Sequence, residues 1–320
     1  MNMKPTVLIT GGNGFIGRAL TKRLVQEGYQ VRILTRRAAK KQPADPNVVL
    51  LQADYQNVHS IRKAMLDCEG VFNLAGTIFG FNYKDFEKGN VTAVRNVIAA
   101  ANKTRSVQTV VHVSSLAASG YAKSAKRPRK ETNAAFPVSD YGRTKLLGEK
   151  AVRQLRPRIK RTIIRPPIVY GKNDSGVSKI AAWVKRGIMV NASGKGYFSF
   201  VYVEDLVEAL YQAYIRPETD RQTYFIAEPN VYKWNYFISQ MAQAMHVRKP
   251  FMPSVPVWVM RLTAFGYEVV SRVTGIQPAL NYDKVAEASI PGHWICSSEK
   301  WIKLTGQQFT PLKKGLEQSF

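Results

Sequence analysis

Short apolar runs and longer amphipathic stretches alternate along the first half of the chain. The mostly apolar run Thr6–Thr10 is typical of a buried strand, and apolar residues at helical spacing over Phe15–Gln26 predict a helix that ends at Gly28. Further strands are predicted at residues 31–34, 48–51, 71–74, 107–113 and 162–164. Strands that alternate with helices predict an α/β fold with a doubly wound parallel sheet.

The second half of the chain has a different pattern. After Gly171 the regular alternation is lost, and aromatic residues and prolines become frequent. We therefore predict a doubly wound domain over residues 1–170 and a smaller lobe over residues 171–320. The smaller lobe is expected to be interleaved with the first domain, with some of its segments returning to the large sheet.

A glycine loop connects the first predicted strand to the first predicted helix. Gly11, Gly14 and Gly17 lie in it, and Phe15 and Ile16 open the helix. Glycines let the backbone approach a pyrophosphate, and the helix N-terminus supplies N–H donors and the positive end of the helix dipole. The loop therefore predicts a dinucleotide site, although the same loop could be a tight turn that binds nothing.

The spacing Gly11-x-x-Gly14-x-x-Gly17 resembles that of the extended and atypical short-chain dehydrogenase/reductase families. Further motifs match in order: Asp54, Asn73-Leu74-Ala75-Gly76, Asn90-Val91, Ser114-Ser115, Tyr141-Gly142-Arg143-Thr144-Lys145, Arg165-Pro166-Pro167-Ile168-Val169-Tyr170-Gly171 and Val201-Tyr202-Val203-Glu204-Asp205. The resemblance extends well to about residue 230 and implies a Rossmann fold. The cofactor-binding residues that it implies are Gly11, Gly14, Phe15, Ile16, Gly17, Asp54, Tyr55, Ala75, Gly76, Tyr141, Lys145 and Pro166.

Tyr141 and Lys145 are the candidate catalytic pair. They lie four residues apart and therefore share one helix face. A free tyrosine has a pKa of about 10, and a nearby ammonium lowers it, so that Tyr141 could act as a general acid or base. The resemblance implies that Lys145 also binds the nicotinamide ribose and that Ser115 orients the substrate oxygen. Ser114 is the rival candidate for the role of Ser115.

The residues after the second predicted strand bear on the choice of cofactor. NAD-binding enzymes place a carboxylate there for the ribose 2′-hydroxyl, but this chain has Arg36 and Arg37. Two guanidinium groups suit a 2′-phosphate, which favours NADP(H) over NAD(H). The alternative is that both arginines are ordinary solvated side chains.

Three positions depart from the pattern of nucleotide-sugar enzymes. Ile168 replaces an asparagine, Phe198 replaces a diphosphate-binding arginine, and Leu116 follows Ser115 in place of an acidic residue. The chain is closer to the branch of 3β-hydroxysteroid dehydrogenases and dihydroflavonol reductases. Ser115, Ile168 and Phe198 are therefore predicted to contact an apolar small-molecule substrate. The candidate pocket aromatics are Trp183, Phe198, Phe200, Trp234, Phe237, Trp258 and Phe265.

The leading hypothesis is an NADP(H)-dependent oxidoreductase that acts on a carbonyl or secondary alcohol. One alternative is a nucleotide-sugar epimerase or dehydratase that retains its NAD(P). A second is a non-catalytic NAD(P)-binding sensor or assembly factor, against which the intact Ser115, Tyr141 and Lys145 argue. The resemblance also implies a possible homodimer.

Composition adds one strong signal and excludes several classes. The 320 residues include 47 Lys and Arg against 22 Asp and Glu, a net charge of +25. Two cysteines and four scattered histidines predict no metal site and no disulfide framework, and the reduced thiols suit a cytoplasmic protein. Neither a spanning helix nor a signal peptide is expected.

The positive charge has two local concentrations, one between Ser115 and Tyr141 and one after Lys145. Their members are Lys123, Lys126, Arg127, Arg129 and Lys130, and then Arg153, Arg156, Arg158, Lys160 and Arg161. Solubility, attraction of an anionic substrate and peripheral docking on an anionic membrane all stay open. An amphipathic stripe within residues 255–272 could assist docking, while nucleic acid is not an expected partner, because no recognised nucleic-acid module accompanies the charge.

Overall fold

A seven-stranded parallel sheet forms the centre of the protein. The computed structural model describes residues 5–37, 42–189, 196–253, 258 and 282–320. The strands of the large sheet are β1 (Thr6–Thr10), β2 (Gln30–Thr35), β3 (Val48–Gln52), β4 (Cys68–Asn73), β5 (Thr109–Val113), β6 (Lys160–Arg165) and β9 (Gln222–Phe225). Their order is β3-β2-β1-β4-β5-β6-β9, and all pairings are parallel. The predicted α/β fold with a doubly wound parallel sheet is confirmed.

Helices cover both faces of this sheet, and others belong to the C-terminal lobe. The α-helices of the described residues are α1 (Phe15–Gln26), α2 (Val58–Met65), α3 (Tyr83–Glu87), α4 (Ala93–Lys103), α5 (Asp140–Val152), α6 (Ser175–Lys185), α7 (Val203–Ile215), α8 (Trp234–Ala244), α9 (Tyr282–Ala288), α10 (Glu299–Thr305) and α11 (Leu312–Ser319). One apolar core joins α1 and α7 to the sheet, and a second joins α2, α4 and α5 to the opposite face. Strands β1 to β3 are added toward one edge of the sheet, and strands from β4 onward are added toward the other edge. In sheets of this kind the ligand binds at the carboxyl ends of the strands where the order reverses, here β1 and β4.

A smaller sheet carries the C-terminal lobe. It contains β7 (Ile168–Tyr170), β8 (Tyr197–Tyr202) and β10 (Val231–Lys233), with β7 parallel and β10 antiparallel to β8. Because β9 lies between these segments in the chain and pairs with β6, the chain returns from the lobe to the large sheet. The division at residue 170 stays a prediction.

Several basic residues of the two predicted clusters form hydrogen bonds inside the molecule. Lys160 Nζ donates to the carbonyls of Ala213, Tyr214 and Arg216 at the end of α7, at 2.8, 2.8 and 2.6 Å. Such cations satisfy the carbonyls that a helix end leaves unpaired. Arg129 is buried, and its Nε donates to Ser119 Oγ at 3.0 Å. These charges therefore act inside the molecule and are not available to a partner.

Two absences concern only the part of the chain that the structure describes. No helix there is long and apolar enough to cross a membrane. No group of three or more His, Cys, Asp or Glu side chains there could hold a metal ion. The predicted stripe within residues 255–272 lies outside the described residues, apart from Trp258, which is exposed.

Candidate active site

The glycine loop is closely packed between β1 and α1. Gly11 has a φ of +71°, and a Cβ there would lie 2.9 Å from the backbone nitrogen of Ala75. A Cβ on Gly17 would lie 2.3 Å from the carbonyl oxygen of Gly11. Among the described residues no side chain caps the N-terminus of α1, and its first turn carries no acidic residue. The loop therefore leaves N–H donors available, and its geometry fits a pyrophosphate. Phe15 and Ile16 pack half-buried against the core.

A buried hydrogen-bond network joins the ends of β1, β4 and β5. Thr10 Oγ1 donates to Asn73 Oδ1 at 2.7 Å and accepts from the N–H of Ala75 at 3.0 Å. The amide of Asn73 lies 3.1 Å from Nδ1 of His112. Burial, with the charge of Lys145, holds the pKa of His112 well below its usual value, so the imidazole is neutral. The network fixes the strand ends between which a ligand would lie.

Lys145 is a buried ammonium group beside the end of β5. Its Nζ donates to the carbonyl oxygen of Val113 at 2.6 Å. Burial lowers the pKa of Lys145 to about 8, although the nearby Glu149 acts in the opposite direction. A Cβ on Gly76 would lie 3.6 Å from this Nζ, so the loop after β4 passes directly beside the lysine. The structure thus brings Lys145 and Gly76 together as the resemblance implies.

Tyr141 lies in the first turn of α5, one turn before Lys145. It is half-buried, and its ring centroid lies 6.3 Å from that of Phe86 on α3. Ser115 is also half-buried, and its Oγ accepts from the N–H of Ala117 at 3.1 Å in a short 3-10 turn. The N–H of Leu116 donates to the carbonyl of Pro166 at 2.9 Å, which places buried Pro166 against this turn.

Ser114 has a different environment from Ser115. Its Oγ donates to Glu149 Oε1 at 2.6 Å inside a fully buried cluster. Arg165 completes the cluster with a bidentate pair to Glu149, at 2.8 Å from Nε and 2.7 Å from Nη2. Buried charges are tolerated when their partners are complete. The hydroxyl of Ser114 is therefore already bonded to a buried carboxylate, whereas Ser115 is half-buried.

Two acidic residues of α9 contact the N-terminus of α5. The carboxylate of Asp283 accepts from the N–H of Asp140 at 2.6 Å and from that of Tyr141 at 3.2 Å. Ser139 Oγ donates to Glu287 Oε1 at 2.7 Å and accepts from the N–H of Gly142 at 3.0 Å. A carboxylate suits a helix N-terminus, because the helix dipole is positive there. Sequence reasoning missed both residues, since no local spacing links them to α5.

Arg36 and Arg37 are exposed at the end of β2. Neither guanidinium has a hydrogen-bond or ion-pair partner among the described residues, and Thr35 Oγ1 fixes the turn by donating to the carbonyl of Arg37 at 2.6 Å. Tyr55 is buried beside them; burial raises its pKa to about 12, although Gly11 and Arg36 act in the opposite direction. Asp54 is exposed, and its carboxylate accepts from the N–H of Gln56 at 2.9 Å.

Two of the three residues predicted to contact the substrate, Ile168 and Phe198, lie in the smaller sheet, whereas Ser115 lies after β5 of the large sheet. Ile168 and Phe198 are half-buried against the larger core, and the Phe198 ring centroid lies 5.9 Å from that of Trp234. Phe200 and Phe237 are fully buried and stack at 4.7 Å, so both serve core packing. Trp183 and Trp258 are exposed, and Phe265 lies outside the described residues.

Comparison with known proteins establishes the family. The sequence pattern of the NAD dependent epimerase/dehydratase family matches residues 7–227, more than half of the chain. The chain belongs to this family. In its fold it is similar to the UDP-glucose 4-epimerase of Thermotoga maritima, with a TM-score of 0.77, 19% identity and coverage of 98% of this chain and 97% of that one.

Curated relatives in the family carry varied names. An uncharacterised protein of Sinorhizobium fredii, y4nG, is 30% identical over 64% of this chain and 52% of its own length. The ceramide reductase of Caulobacter vibrioides is 29% identical over 64% of this chain and 59% of its own. The mitochondrial NADH dehydrogenase [ubiquinone] 1 alpha subcomplex subunit 9 of Rattus norvegicus is 28% identical over 84% of this chain and 67% of its own. The chain thus spans about half the length of y4nG and somewhat more of the others.

These comparisons confirm the predicted superfamily. The named relatives include a dehydrogenase, a reductase and a ketoreductase, which agrees with the predicted class of NAD(P)-dependent dehydrogenase/reductase. The roles of the individual site residues stay predictions.

Proposed function

We propose that this member of the NAD dependent epimerase/dehydratase family is an NADP(H)-dependent oxidoreductase acting on a carbonyl or secondary alcohol of an apolar substrate. The observation that carries the proposal is the position of Lys145. Its buried ammonium lies between the end of β5 and the loop at Gly76, one helical turn from Tyr141. A buried cation there is costly, and such costs are typical of catalytic sites.

Ser115, Tyr141 and Lys145 would each have a different role in the reaction. Ser115 Oγ would hold the substrate oxygen, and the hydroxyl of Tyr141 would donate a proton to that oxygen or remove one from it. Lys145 would favour the phenolate of Tyr141 through its charge and would bind ribose. The nicotinamide, when bound, supplies or accepts the hydride. Ser114 takes no part in these steps, because its hydroxyl already donates a hydrogen bond to Glu149.

The end of β2 supports NADP(H) over NAD(H). Arg36 and Arg37 are exposed and have no partners among the described residues, so both guanidinium groups are available to a phosphate. Charge-assisted bonds to a 2′-phosphate contribute about 1.5–3 kcal/mol each. Gly11, Gly14 and Gly17 would hold the pyrophosphate, while Tyr55, Ala75 and Pro166 would line the remaining length of the cofactor.

The smaller lobe supports an apolar substrate. Ile168 and Phe198 present hydrocarbon where nucleotide-sugar enzymes present polar groups, and Trp234 packs against Phe198. A pocket of this kind leaves a diphosphate without its partners, at a cost of several kcal/mol. Ceramide reductase, a relative of this chain, is named for a lipid substrate. The possible homodimer and the cytoplasmic location stay predictions.

The cofactor can be tested by paired titration with NADPH and NADH, following tryptophan fluorescence. We expect NADPH to bind at least about tenfold more tightly, which corresponds to about 1.4 kcal/mol. Arg36→Gln with Arg37→Gln should abolish that preference. Lys313→Gln with Lys314→Gln, which removes the same charge from exposed positions on α11, should preserve it.

Turnover is the second half of the test. The protein should oxidise NADPH in the presence of apolar ketones, and Tyr141→Phe should reduce the rate by a factor of about 10²–10⁴ while NADPH still binds. Turnover of a nucleotide sugar without net NADPH oxidation would favour the epimerase alternative. Cofactor binding without any turnover, unaffected by Tyr141→Phe, would favour the non-catalytic alternative.

A further inference from the structure

Three large apolar side chains stand exposed together where α6 ends. Trp183 is 46% exposed, Ile188 56% and Phe251 72%. Gly187 takes a φ of +77° just before Ile188, and its carbonyl accepts from the N–H of Phe251 at 2.8 Å. Ile188 and Phe251 therefore pair side by side in the backbone, and Trp183 lies five residues before Ile188, in the last turn of α6. We call these three residues the α6 tip.

The base of the α6 tip is firmly packed. Val177, Ala181 and Val184 on the inner face of α6 are buried in the larger core. The N–H of Met189 donates to the carbonyl of Phe251 at 3.0 Å, a second backbone bond that holds the segment of Phe251 against the residues after α6. The apolar side chains thus project from an ordered surface, and exposed apolar groups that stand together indicate an interaction site.

Cations surround the α6 tip. Lys185 and Arg186 end α6, Arg248 and Lys249 precede Phe251, and all four are exposed. The Arg186 guanidinium lies 5.3 Å from the ring centroid of Trp183.

Acidic residues are almost absent from the same segments. Residues 172–189 and 229–253 contain seven Lys and Arg but one acidic residue, Asp174. That carboxylate accepts from the N–H of Gly176 at 2.8 Å, as the N-cap of α6. Beyond Asp174, these two segments therefore supply no carboxylate that could neutralise the cations around the tip. The positive charge is complementary to an anionic surface.

We propose that the α6 tip docks the protein on an anionic lipid bilayer. Trp183, Ile188 and Phe251 would enter the boundary between headgroups and acyl chains, where tryptophan and other apolar groups are favoured. Lys185, Arg186 and their neighbours would stay at the level of the anionic headgroups. A nucleic acid would use the cations but would leave Ile188 and Phe251 in water, so it accounts for less of the surface.

Sedimentation with vesicles tests the charge. Full-length protein should bind vesicles of phosphatidylglycerol and phosphatidylcholine at low salt, and bind pure phosphatidylcholine far more weakly. Lys185→Gln with Arg186→Gln should weaken binding about 25-fold, since each Lys or Arg near the surface contributes about fivefold. Lys103→Gln with Arg105→Gln is the matched control, because both are exposed near the end of α4, on the opposite face of the sheet. An equal loss in the control would overturn the proposal, since binding would then depend on net charge alone.

Fluorescence quenching tests insertion of the apolar side chains. Acyl-brominated phosphatidylglycerol should quench the emission of wild-type protein, and Trp183→Phe should remove most of that quenching while vesicle binding persists. Ile188→Ser with Phe251→Ser should weaken vesicle binding at least tenfold without lowering the melting temperature, because both side chains are exposed. Undiminished vesicle binding by that variant, or tighter binding of the wild type to single-stranded RNA than to the vesicles, would contradict the proposal.

Discussion

Two buried charged groups stand one turn apart on α5, and their surroundings differ. Glu149 receives two bonds from Arg165 and one from Ser114, so its charge is fully paired. Lys145 donates to a single carbonyl, and burial lowers its pKa to about 8. A completely paired group holds the structure together, whereas an incompletely paired one keeps bonding capacity for a ligand. The difference separates a structural from a candidate catalytic group on the same helix.

The largest expected effect is a loss of stability when Glu149 loses its partner Arg165. Arg165→Met leaves Glu149 buried with Ser114, the more distant Arg153 at 3.7 Å and the Lys145 ammonium one turn away, and should lower the free energy of unfolding by about 3–5 kcal/mol. Urea denaturation measures this loss. Arg153→Met, which removes the half-exposed partner, should cost less than about 1 kcal/mol. Similar losses in both variants would show that Glu149 is not held mainly by Arg165.

Lys145→Met should have the opposite effect on stability. Burial of its ammonium disfavours folding at neutral pH, so the variant should gain about 1–2 kcal/mol at pH 7 after the lost bond to Val113 is counted. In the wild type, Lys145 binds more protons in the unfolded chain than in the native protein between about pH 8 and pH 10.5. Its contribution to the free energy of unfolding therefore increases with pH over that range. The Lys145→Met variant should lack this increase.

Lys160 serves as the internal reference for that experiment. Burial also lowers the pKa of Lys160 to about 8, and its contribution to the pH dependence of stability is the same in the wild type and the variant.

Turnover of the Lys145→Met variant should fall at least about 100-fold. A variant that is both less stable at pH 7 and fully active would reverse the assignment of the two groups.

Alanine variants of Ser114 and Ser115 should have smaller effects, one on stability and the other on kcat. Ser114→Ala removes a buried donor from Glu149 and should cost about 1–3 kcal/mol of stability, with little change in kcat. Ser115→Ala should leave stability within about 1 kcal/mol but reduce kcat by at least tenfold, because the substrate oxygen loses its partner. Thermal unfolding and steady-state kinetics on the same preparations separate the outcomes. Exchanged phenotypes would make Ser114 the catalytic serine.

The smallest effect is expected at Asp283. Asp283→Asn removes a negative charge from the N-terminus of α5, where such charges contribute about 0.3–1 kcal/mol, and should reduce kcat a few-fold through the position of Tyr141. Asp220→Asn is the control, because its carboxylate accepts from the N–H of Arg161, away from the site. An unchanged kcat with unchanged stability would show that α9 does not position α5.

Much of the fold could be predicted because its signals are local. The helix Phe15–Gln26 has the predicted bounds, and strand 71–74 lies at Cys68–Asn73, shifted by a few residues at its start. Strand 107–113 is shorter, at Thr109–Val113. Periodicity locates elements, but ends depend on pairing with neighbouring strands.

The site could be predicted only in part. Motif spacing predicted Tyr141, Lys145 and the glycines as site residues, a prediction that stays open, and it did not distinguish the environments of Ser114 and Ser115. Charge runs also misrepresented Arg129, which is buried and stacks its guanidinium 4.6 Å from the ring centroid of Phe136. Exposure of a basic residue depends on what packs over it, and a run of charges carries no such information.

The sequence by itself determined the family, the parallel sheet and the loop at Gly11, because contacts between near neighbours and motif spacing encode these features. Only the tertiary structure decided which charges are paired. Ser114 meets Glu149 across 35 residues, and Asp283 meets Tyr141 across 142. The energy of a buried charge depends on the groups that surround it in space, and folding brings those groups from distant parts of the chain.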